Sequence, residues 1–258
     1  MPADLDFWHQ RYTQQVGWTF EARRYIFDQI KLNNSSTILE VGSGTGALLS
    51  SLLYDGYAQL TGLDIDFASL KKSSFVRAVC GDAHQLPFPP GAFSLVICHF
   101  LLLWVRDPLV VLKEMRRVVR TGGWVVALAE PNYTQRVDTP SELAELGKAQ
   151  TDALASLGAD VDIGSNLGEL FYQAGLVNVE TGIIQPQEPS LFTDEEFELE
   201  WAVLRRDLAG RVSENQLQRW YDIDRLAAIR GESQHYVPIH FAFGEVPETS
   251  KVSETFEV

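Results

Sequence analysis

The 258-residue sequence contains only two cysteines, Cys80 and Cys98. So few thiols exclude a disulfide-stapled scaffold and make a reducing cytoplasm the expected location. Zinc-ligand spacings of the His-x-x-x-His or Cys-x-x-Cys kind are missing as well, so no metal site is expected. Positive charge is scarce: 21 Lys and Arg stand against 35 Asp and Glu, a net charge of −14. Such a surface repels phosphate backbones and anionic lipid, and no nucleic-acid partner is expected. The densest basic cluster, Lys113, Arg116, Arg117 and Arg120, falls mostly on one helical face and reads as a solvated face. No apolar run reaches the roughly 18 residues of a membrane helix. The opening MPADLDFWHQRY has neither the basic nor the apolar region of a signal peptide. Repeats, low-complexity segments and flexible linkers are also missing, and a single α/β domain is ordinary for this length.

What is present is an alternation of short apolar runs with helical patterns. Residues 37–41, 59–64, 75–80, 93–98 and 124–129 read as strands, with helices expected at 46–54 and 66–73. Asp107–Pro108 opens a further helix, Asp at N-cap and Pro at N1, which places Leu109, Leu112, Met115, Val118 and Val119 on one side and stops before Gly122–Gly123. Apolar strands between helices imply a parallel sheet covered on both faces. Beyond Glu130 the pattern loosens. Capping boxes are expected at Thr139–Glu142, Thr193–Glu196 and Ser213–Gln216, opening helices at 139–157, 193–209 and 213–229. A helix at 165–174 and a strand at 176–184 lie between them. The last expected strand is 235–243, where Pro238 argues for an edge or a bulge. The tail 248–258 is acidic and is expected to be disordered.

The stretch Ile38–Ser50 reads ILEVGSGTGALLS. Strand, glycine turn and helix together present backbone N–H groups and a positive helix end to a ligand. The run from Gly42 satisfies both G-x-G-x-G and the looser dinucleotide form G-x-G-x-x-A. Asp64, 22 positions after Gly42, would bond ribose hydroxyls in either case. A helix N-cap is the plain structural alternative for Asp64, and a loop cap is the alternative for Asp82. The loop alone therefore leaves the ligand open.

Five segments in order carry a resemblance: EVGSGTG at 40–46, GLDID at 62–66, GDAHQLPF at 81–88, FSLVICHF at 93–100 and DPLVVLKEMRRVVRTGG at 107–123. Over about Thr37–Pro131 the chain resembles the class I S-adenosylmethionine-dependent methyltransferases, in the branch near the quinone and sterol enzymes. The resemblance implies an α/β, Rossmann-like sheet of seven mostly parallel strands, with one reversed strand near the C-terminus and strand order 3-2-1-4-5 in its first part. It implies S-adenosylmethionine as cofactor. It implies that Glu40 orients the methionine end, that Gly42, Ser43, Gly44 and Gly46 line methionine and ribose, and that Asp64 takes the ribose diol. Ile65 and Ala83 would pack on adenine and Asp82 would accept from its amino group. Cys98, His99 and Phe100 would border the cofactor after the fourth strand.

The same resemblance divides the chain into an N-terminal helical segment, 1–36, closing the cofactor pocket, and a methyltransferase domain, 37–247. Cap insertions are expected at about 139–157 and 193–229. Residues 7–25 are rich in aromatics and arginine, and Arg11, Tyr12 and Trp18 are pocket candidates beside plain helix packing. Methyl transfer needs alignment and desolvation more than a base. His99 and Tyr133 are candidate bases, with His235 and His240 behind them; packing roles compete for all four. Trp18, Phe100, Tyr133 and Trp201 are candidate acceptor contacts, Trp201 on an aromatic stripe shared with Trp220 and Tyr221. The expected function is methylation of a small, partly hydrophobic acceptor. RNA or protein methylation, and cofactor binding without turnover, remain open at this point, as do the atom methylated and the oligomeric state.

Overall fold

The computed structural model describes residues 4–73, 77–184 and 193–248. The first two residues of the expected strand 75–80 and all but Glu248 of the expected acidic tail lie outside them. Among the described residues nine strands follow in chain order: β1 Ile38–Val41, β2 Leu60–Asp64, β3 Arg77–Cys80, β4 Phe93–Cys98, β5 Val119–Pro131, β6 Val137–Thr139, β7 Val177–Ile184, β8 Gln234–Tyr236 and β9 Ile239–Glu245. The helices are α1 Leu5–Trp18, α2 Phe20–Gln29, α3 Ala47–Tyr54, α4 Phe67–Leu70, α5 Pro108–Val118, α6 Ala144–Ser156, α7 Ile163–Gln173, α8 Asp194–Asp207 and α9 Glu214–Ile229.

Seven strands form one sheet in the order β3-β2-β1-β4-β5-β9-β7, and only β9 runs against its neighbours. Both faces are apolar, as the unbroken runs require. Leu39, Val41, Val96, Cys98, Val125 and Ala127 point to the side covered by α5 and α7. Their alternates Ile38, Leu95, Ile97, Val126 and Leu128 point to the side covered by α2 and α3. This period of two, apolar on each face, is what a doubly covered sheet demands. Cys80 and Cys98 end strands three spacings apart, about 14 Å at about 4.8 Å each, and both thiols are free.

Several boundaries differ from the expected ones. α5 stops at Val118 because Val119 already pairs with Phe93 in β5, and the Gly122–Gly123 pair sits in a bulge of that strand instead of ending the helix. The expected helix 66–73 is a single turn, capped by Asp66 through Ala68 N and Ser69 N, so the cap belongs to Asp66 and not to Asp64. The capping box at Thr139 does not form: Thr139 is committed to β6, paired with Gln234, and a 3-10 turn at Ser141–Leu143 precedes α6. The box at Thr193–Glu196 is complete. At Ser213 only the bond from Gln216 N to the serine side chain is present. The expected strand 235–243 is two strands broken at Pro238, β8 in a small sheet with β6 and β9 in the main sheet. Residues 7–25 form two helices that part at the buried Thr19.

α6, α8 and α9 share their own apolar cluster, including Leu146, Phe197, Trp201, Leu204 and Leu217. An ionic core runs beside it. His235 Nδ1 meets Asp138 Oδ1 at 2.7 Å and His235 Nε2 meets Asp224 Oδ2 at 2.9 Å. Arg136 closes on Asp138 at 2.7 Å, and Trp201 Nε1 donates to Asp224 Oδ2 at 2.6 Å. Gly147 on α6 makes room: a Cβ there would stand 1.9 Å from Asp138 Oδ2. Burial alone would depress the His235 pKa, but its bonds to Asp138 and Asp224 and the charge of Asp224 outweigh it and push it up to about 9. A histidine raised from 6.5 stabilises the fold fully below about pH 6.5 and loses that contribution as pH climbs through 9. Urea titrations at pH 6.5 and pH 9.5 should therefore differ by about 2–3 kcal/mol, and His235→Gln should flatten that difference while lowering stability at pH 6.5.

Candidate functional site

The turn between β1 and α3 is built from three glycines in the left-handed region: φ is +76° at Gly42, +49° at Gly44 and +79° at Gly46. Side chains rarely adopt such values, which is why glycine stands at each position. The turn is held from the neighbouring strand. Gly42 N and Ser43 N both donate to Leu63 O, at 2.8 and 2.9 Å, and Gly44 N donates to Asp64 Oδ2 at 2.7 Å. Close approach matters too: a Cβ on Gly42 would lie 2.8 Å from Leu101 Cδ1, and one on Gly44 would lie 3.1 Å from the Tyr12 ring. Tyr12 comes from α1, which is also tied to the turn by His9 Nδ1 and Thr45 Oγ1, 2.8 Å apart.

Carboxylates follow the strand ends. Glu40, in β1, is 3% exposed, and among the described residues its Oε2 has no hydrogen-bond partner, nor has the buried Ser43 Oγ. Burial and then the charge of Asp64 push the Glu40 pKa well above its usual range, while the Leu49 N–H and Arg23 pull the other way. Asp64, ending β2, accepts from Gly44 N with one oxygen and from Asp66 N with the other, at 2.8 Å. Ile65 beside it is 74% exposed. Asp82, after β3, is exposed, and its bonds to the His84 backbone and ring hold its pKa low. Ala83 packs against the core.

Cys98 is fully buried and burial pushes its thiol up, so position 98 can offer a ligand only backbone. Burial, aided by the Arg23 charge, drops His99 to about 3, and its Nε2 lies 3.3 Å from Thr19 Oγ1. Phe100 has φ +53° and stands edge-on to the His99 ring. The bend there is fixed by Glu130, at the far end of β5's apolar run. Glu130 accepts from Leu101 N, Leu102 N and Leu103 N at 3.0, 2.8 and 3.2 Å. Burial pushes its pKa to about 7 against the pull of those donors.

Glu40, the glycines, Ser43 and Asp64 are thus contiguous, with Ile65, Asp82 and Ala83 on the next strand ends. His99 and Phe100 stand under α1. Trp18 lies against the Arg11 guanidinium, 4.7 Å from its ring centre, and Arg11 Nη1 meets Glu200 Oε2 of α8 at 2.6 Å. Tyr133 opens a 3-10 turn after β5, and burial pushes its hydroxyl up to about 12. Trp201 does not face the glycine turn as an open wall: it is 1% exposed in the interior of the α6, α8 and α9 cluster, held by Asp224. His235 is locked in the ionic core, and His240 sits on β9 with Nε2 unpartnered and its pKa lowered by burial. The sequence reading missed His9, Glu130 and the buried Arg23. Glu130 had a signal, an acid closing the apolar run WVVALA; Arg23 had none beyond its place in an amphipathic pattern. Replacing Glu130 with Gln leaves one of the three N–H groups facing an amide donor. Urea denaturation should show a loss of about 1–3 kcal/mol, with faster amide exchange at Leu101–Leu103.

Residues 39–127 match the family model described as a methyltransferase domain. The demethylmenaquinone methyltransferase of Staphylococcus haemolyticus is 32% identical over 124 residues, which is 45% of this chain and 52% of that protein. Its Staphylococcus aureus counterpart is 34% identical over 115 residues, 41% of this chain and 48% of that one. The match thus spans about half the length of these curated relatives. Among solved structures, phosphoethanolamine N-methyltransferase 2 of Haemonchus contortus, bound to S-adenosylhomocysteine, superposes with a TM-score of 0.56 at 16% identity, over 84% of this chain and 50% of that one. The [4+2]-cyclase SpnF superposes with a TM-score of 0.55 at 16% identity, over 86% and 81%. At such identity these structures speak for the fold alone. Residues 39–127 thus match a methyltransferase domain, and the chain resembles the class I S-adenosylmethionine-dependent methyltransferases, the quinone-type enzymes among them.

Proposed function

We propose that the whole chain is a methyltransferase that carries the methyl group of S-adenosylmethionine to a small, partly hydrophobic acceptor. The observation that carries this reading is the row of acids at the ends of β1, β2 and β3, with a buried, unpartnered Glu40 oxygen behind three left-handed glycines. These residues fit the cofactor chemically. Glu40 and Ser43 offer polar atoms with no hydrogen-bond partner among the described residues, which suits a cationic amino-acid end. Asp64, backed by the Gly44 N–H, would accept from ribose hydroxyls. Exposed Ile65 would cover one face of an adenine, and Asp82 would accept at its edge.

When bound, the cofactor supplies a methyl group on sulfonium, already activated toward displacement. The protein then has to align and dry the reactants, and orientation of this kind can lower a barrier by about 7–11 kcal/mol. His99 at about 3 is too weak a base, and Tyr133 at about 12 keeps its proton, so neither withdraws a proton at neutral pH. The acceptor therefore enters as a competent nucleophile. α1 lies over the glycine turn and α8 is ion-paired to α1, an arrangement that supports the N-terminal segment as the closure of the cofactor pocket and the cap as the roof of the acceptor entrance. Phe100, Trp18 and Tyr133 are the acceptor contacts we favour; Trp201 shapes the cap from inside.

A small acceptor also agrees with the charge layout. The basic cluster of α5 lies by Gly91, before β4 begins, at the end of the sheet opposite the glycine turn. Arg117 is engaged there with Glu114 and with the carbonyls of Leu86 and Phe88. The relatives named for demethylmenaquinone add support for a small molecule. Calorimetry should show binding of S-adenosylmethionine and S-adenosylhomocysteine and none of NAD. Asp64→Ala should weaken the first two by about 2–4 kcal/mol, since it removes an acceptor for two hydroxyls. Incubation of the protein with methyl-tritiated cofactor and a cell extract should place label in the low-mass fraction. Label confined to RNA or protein would move the assignment to a macromolecular acceptor.

A further inference from the structure

Residues 81–88, after β3, read GDAHQLPF, and the histidine in that run is bonded on both sides of its ring. Asp82 Oδ1 accepts from His84 N at 2.9 Å and meets His84 Nδ1 at 2.7 Å. On the other side, Asp107 N donates to His84 Nε2 at 3.3 Å. A backbone amide can only donate, so Nε2 carries the lone pair and the ring proton sits on Nδ1, a tautomer assigned from the hydrogen-bond network. The contact with Asp82 is therefore an Nδ1–H donating to a carboxylate, a charge-assisted bond. The ring spans the gap between the acid that follows β3 and the N-cap of α5. The His84 side chain is 18% exposed there, against 56% for Asp82.

These bonds make the two oxygens of Asp82 unlike. Oδ1 takes both donors from His84, and Oδ2 has no hydrogen-bond partner among the described residues. The last torsion of an aspartate is broad, so a half-exposed carboxylate swings unless something holds it. One backbone amide fixes a single point; the ring adds a second donor from another direction. The surrounding segment does not depend on the ring for its path. Leu86 N donates to Glu114 Oε2 at 2.9 Å, and Arg117 donates to Leu86 O at 2.9 Å and to Phe88 O at 2.8 Å, so α5 holds the backbone farther along. Resting on the cofactor assignment above, we propose that His84 is a positioning residue for adenine recognition: its Nδ1–H, set by the Asp107 amide, locks Asp82 so that Oδ2 is the oxygen offered to the 6-amino group. His84 acts through Asp82 and not by contact with the cofactor. Its effect is selective, because only a purine with a donor at position 6 gains from an acceptor fixed in that direction.

That selectivity gives the test. S-inosylhomocysteine matches S-adenosylhomocysteine except that an oxo group and an N1–H replace the 6-amino group and the bare N1. Calorimetry on the full chain at pH 7.5 should show the unaltered protein preferring S-adenosylhomocysteine. His84→Ala should weaken S-adenosylhomocysteine by about three- to tenfold, the range of one hydrogen bond, and change S-inosylhomocysteine by less than about twofold. His84→Asn, whose side-chain N–H falls near the place of Nδ1–H, should keep most of the preference. His84→Gln, whose amide falls nearer Nε2, should lose it. Proton–nitrogen correlation spectra of the unaltered protein should show the His84 ring proton on Nδ1. Equal losses for both ligands in His84→Ala, or none for either, would overturn the proposal. So would a preference that Asn and Gln preserve alike, or a ring proton found on Nε2. Should His84→Ala fail to fold, the contrast between Asn and Gln decides it with the same two ligands. If the unaltered protein binds both ligands equally, Asp82 does not read the amino group, and the proposal falls while the cofactor assignment stands. If it binds neither, the cofactor assignment itself fails and takes the proposal with it.

Discussion

The site hangs on one strand end. Leu63 O receives two amides of the glycine turn and the Asp64 carboxylate receives a third, so β2 holds the turn that follows β1. A left-handed glycine turn has little to stabilise it from within, because glycine loses more conformational entropy than any other residue when fixed. The adjacent parallel strand supplies the missing acceptors, and it can do so only because β1 and β2 are in register from Ile38 with Leu60 to Val41 with Leu63. A slip of one residue would withdraw both Leu63 O and Asp64. Under the proposed function Asp64 would consequently have two tasks, since one oxygen braces the turn and the residue would also take the ribose hydroxyls. Loss of its carboxylate acts on the site's shape as well as on its contacts.

Two buried glutamates show the difference between support and recognition. Glu130 is fully buried, and its oxygens are occupied by three amides that begin the turn after β4. All of its capacity goes into backbone, and what it determines is the bend after His99 and Phe100 that brings Leu101 up against Gly42. Glu40 is buried almost as deeply and keeps an oxygen free. A buried carboxylate left unsatisfied costs stability, commonly about 1–3 kcal/mol or more. A fold retains such a cost where a ligand removes it. The same carboxylate chemistry therefore builds the bend in one case and, under the proposed function, would address the ligand in the other, and burial alone does not separate them; the count of donors does.

These differences explain which parts were legible in the sequence. The strands of the first half were readable because each is a short apolar run buried on both faces, and the turn was readable because three glycines at spacing two have few other uses. Asp64 and Asp82 came with their motifs. The second half was harder. Val119–Gly123 reads as a helix end in isolation, but pairing with Phe93 draws it into β5, a tertiary effect that no local pattern carries. Pro238 argues in the sequence for an edge or a bulge of one strand; the structure instead breaks the run there and sends its two sides to different sheets, which depends on β6 arriving from about a hundred residues earlier. Trp201 read as a stripe that could face either way. Its partner Asp224 decides for the interior, and the pairing joins two helices whose relation the sequence does not state. Arg23 was invisible because its partners, Ser51 and Asp55, belong to α3 and its C-terminal end.

The ionic core of the cap has the same logic as the glycine turn, on a larger scale. Asp138, His235 and Asp224 come from two strands and a helix and Arg136 from just before β6, and each carries a charge that is costly to bury without the others. Replacing such a group with apolar side chains of equal volume is often neutral for stability, so its value lies in selecting one arrangement of α6, α9 and the β6–β8 ribbon over near alternatives. Trp201 ties α8 into that arrangement through Asp224, and Glu200 on the same helix ties it to Arg11 of α1. α1 in turn rests on the glycine turn through Tyr12 and His9. An unbroken series of contacts therefore runs from the cap interior to the turn, and the N-terminal helix is its middle member. Whatever shifts α1 must either break the Arg11–Glu200 pair or carry α8 with it, so under the proposed function access to the acceptor side and closure over the cofactor side would be coupled.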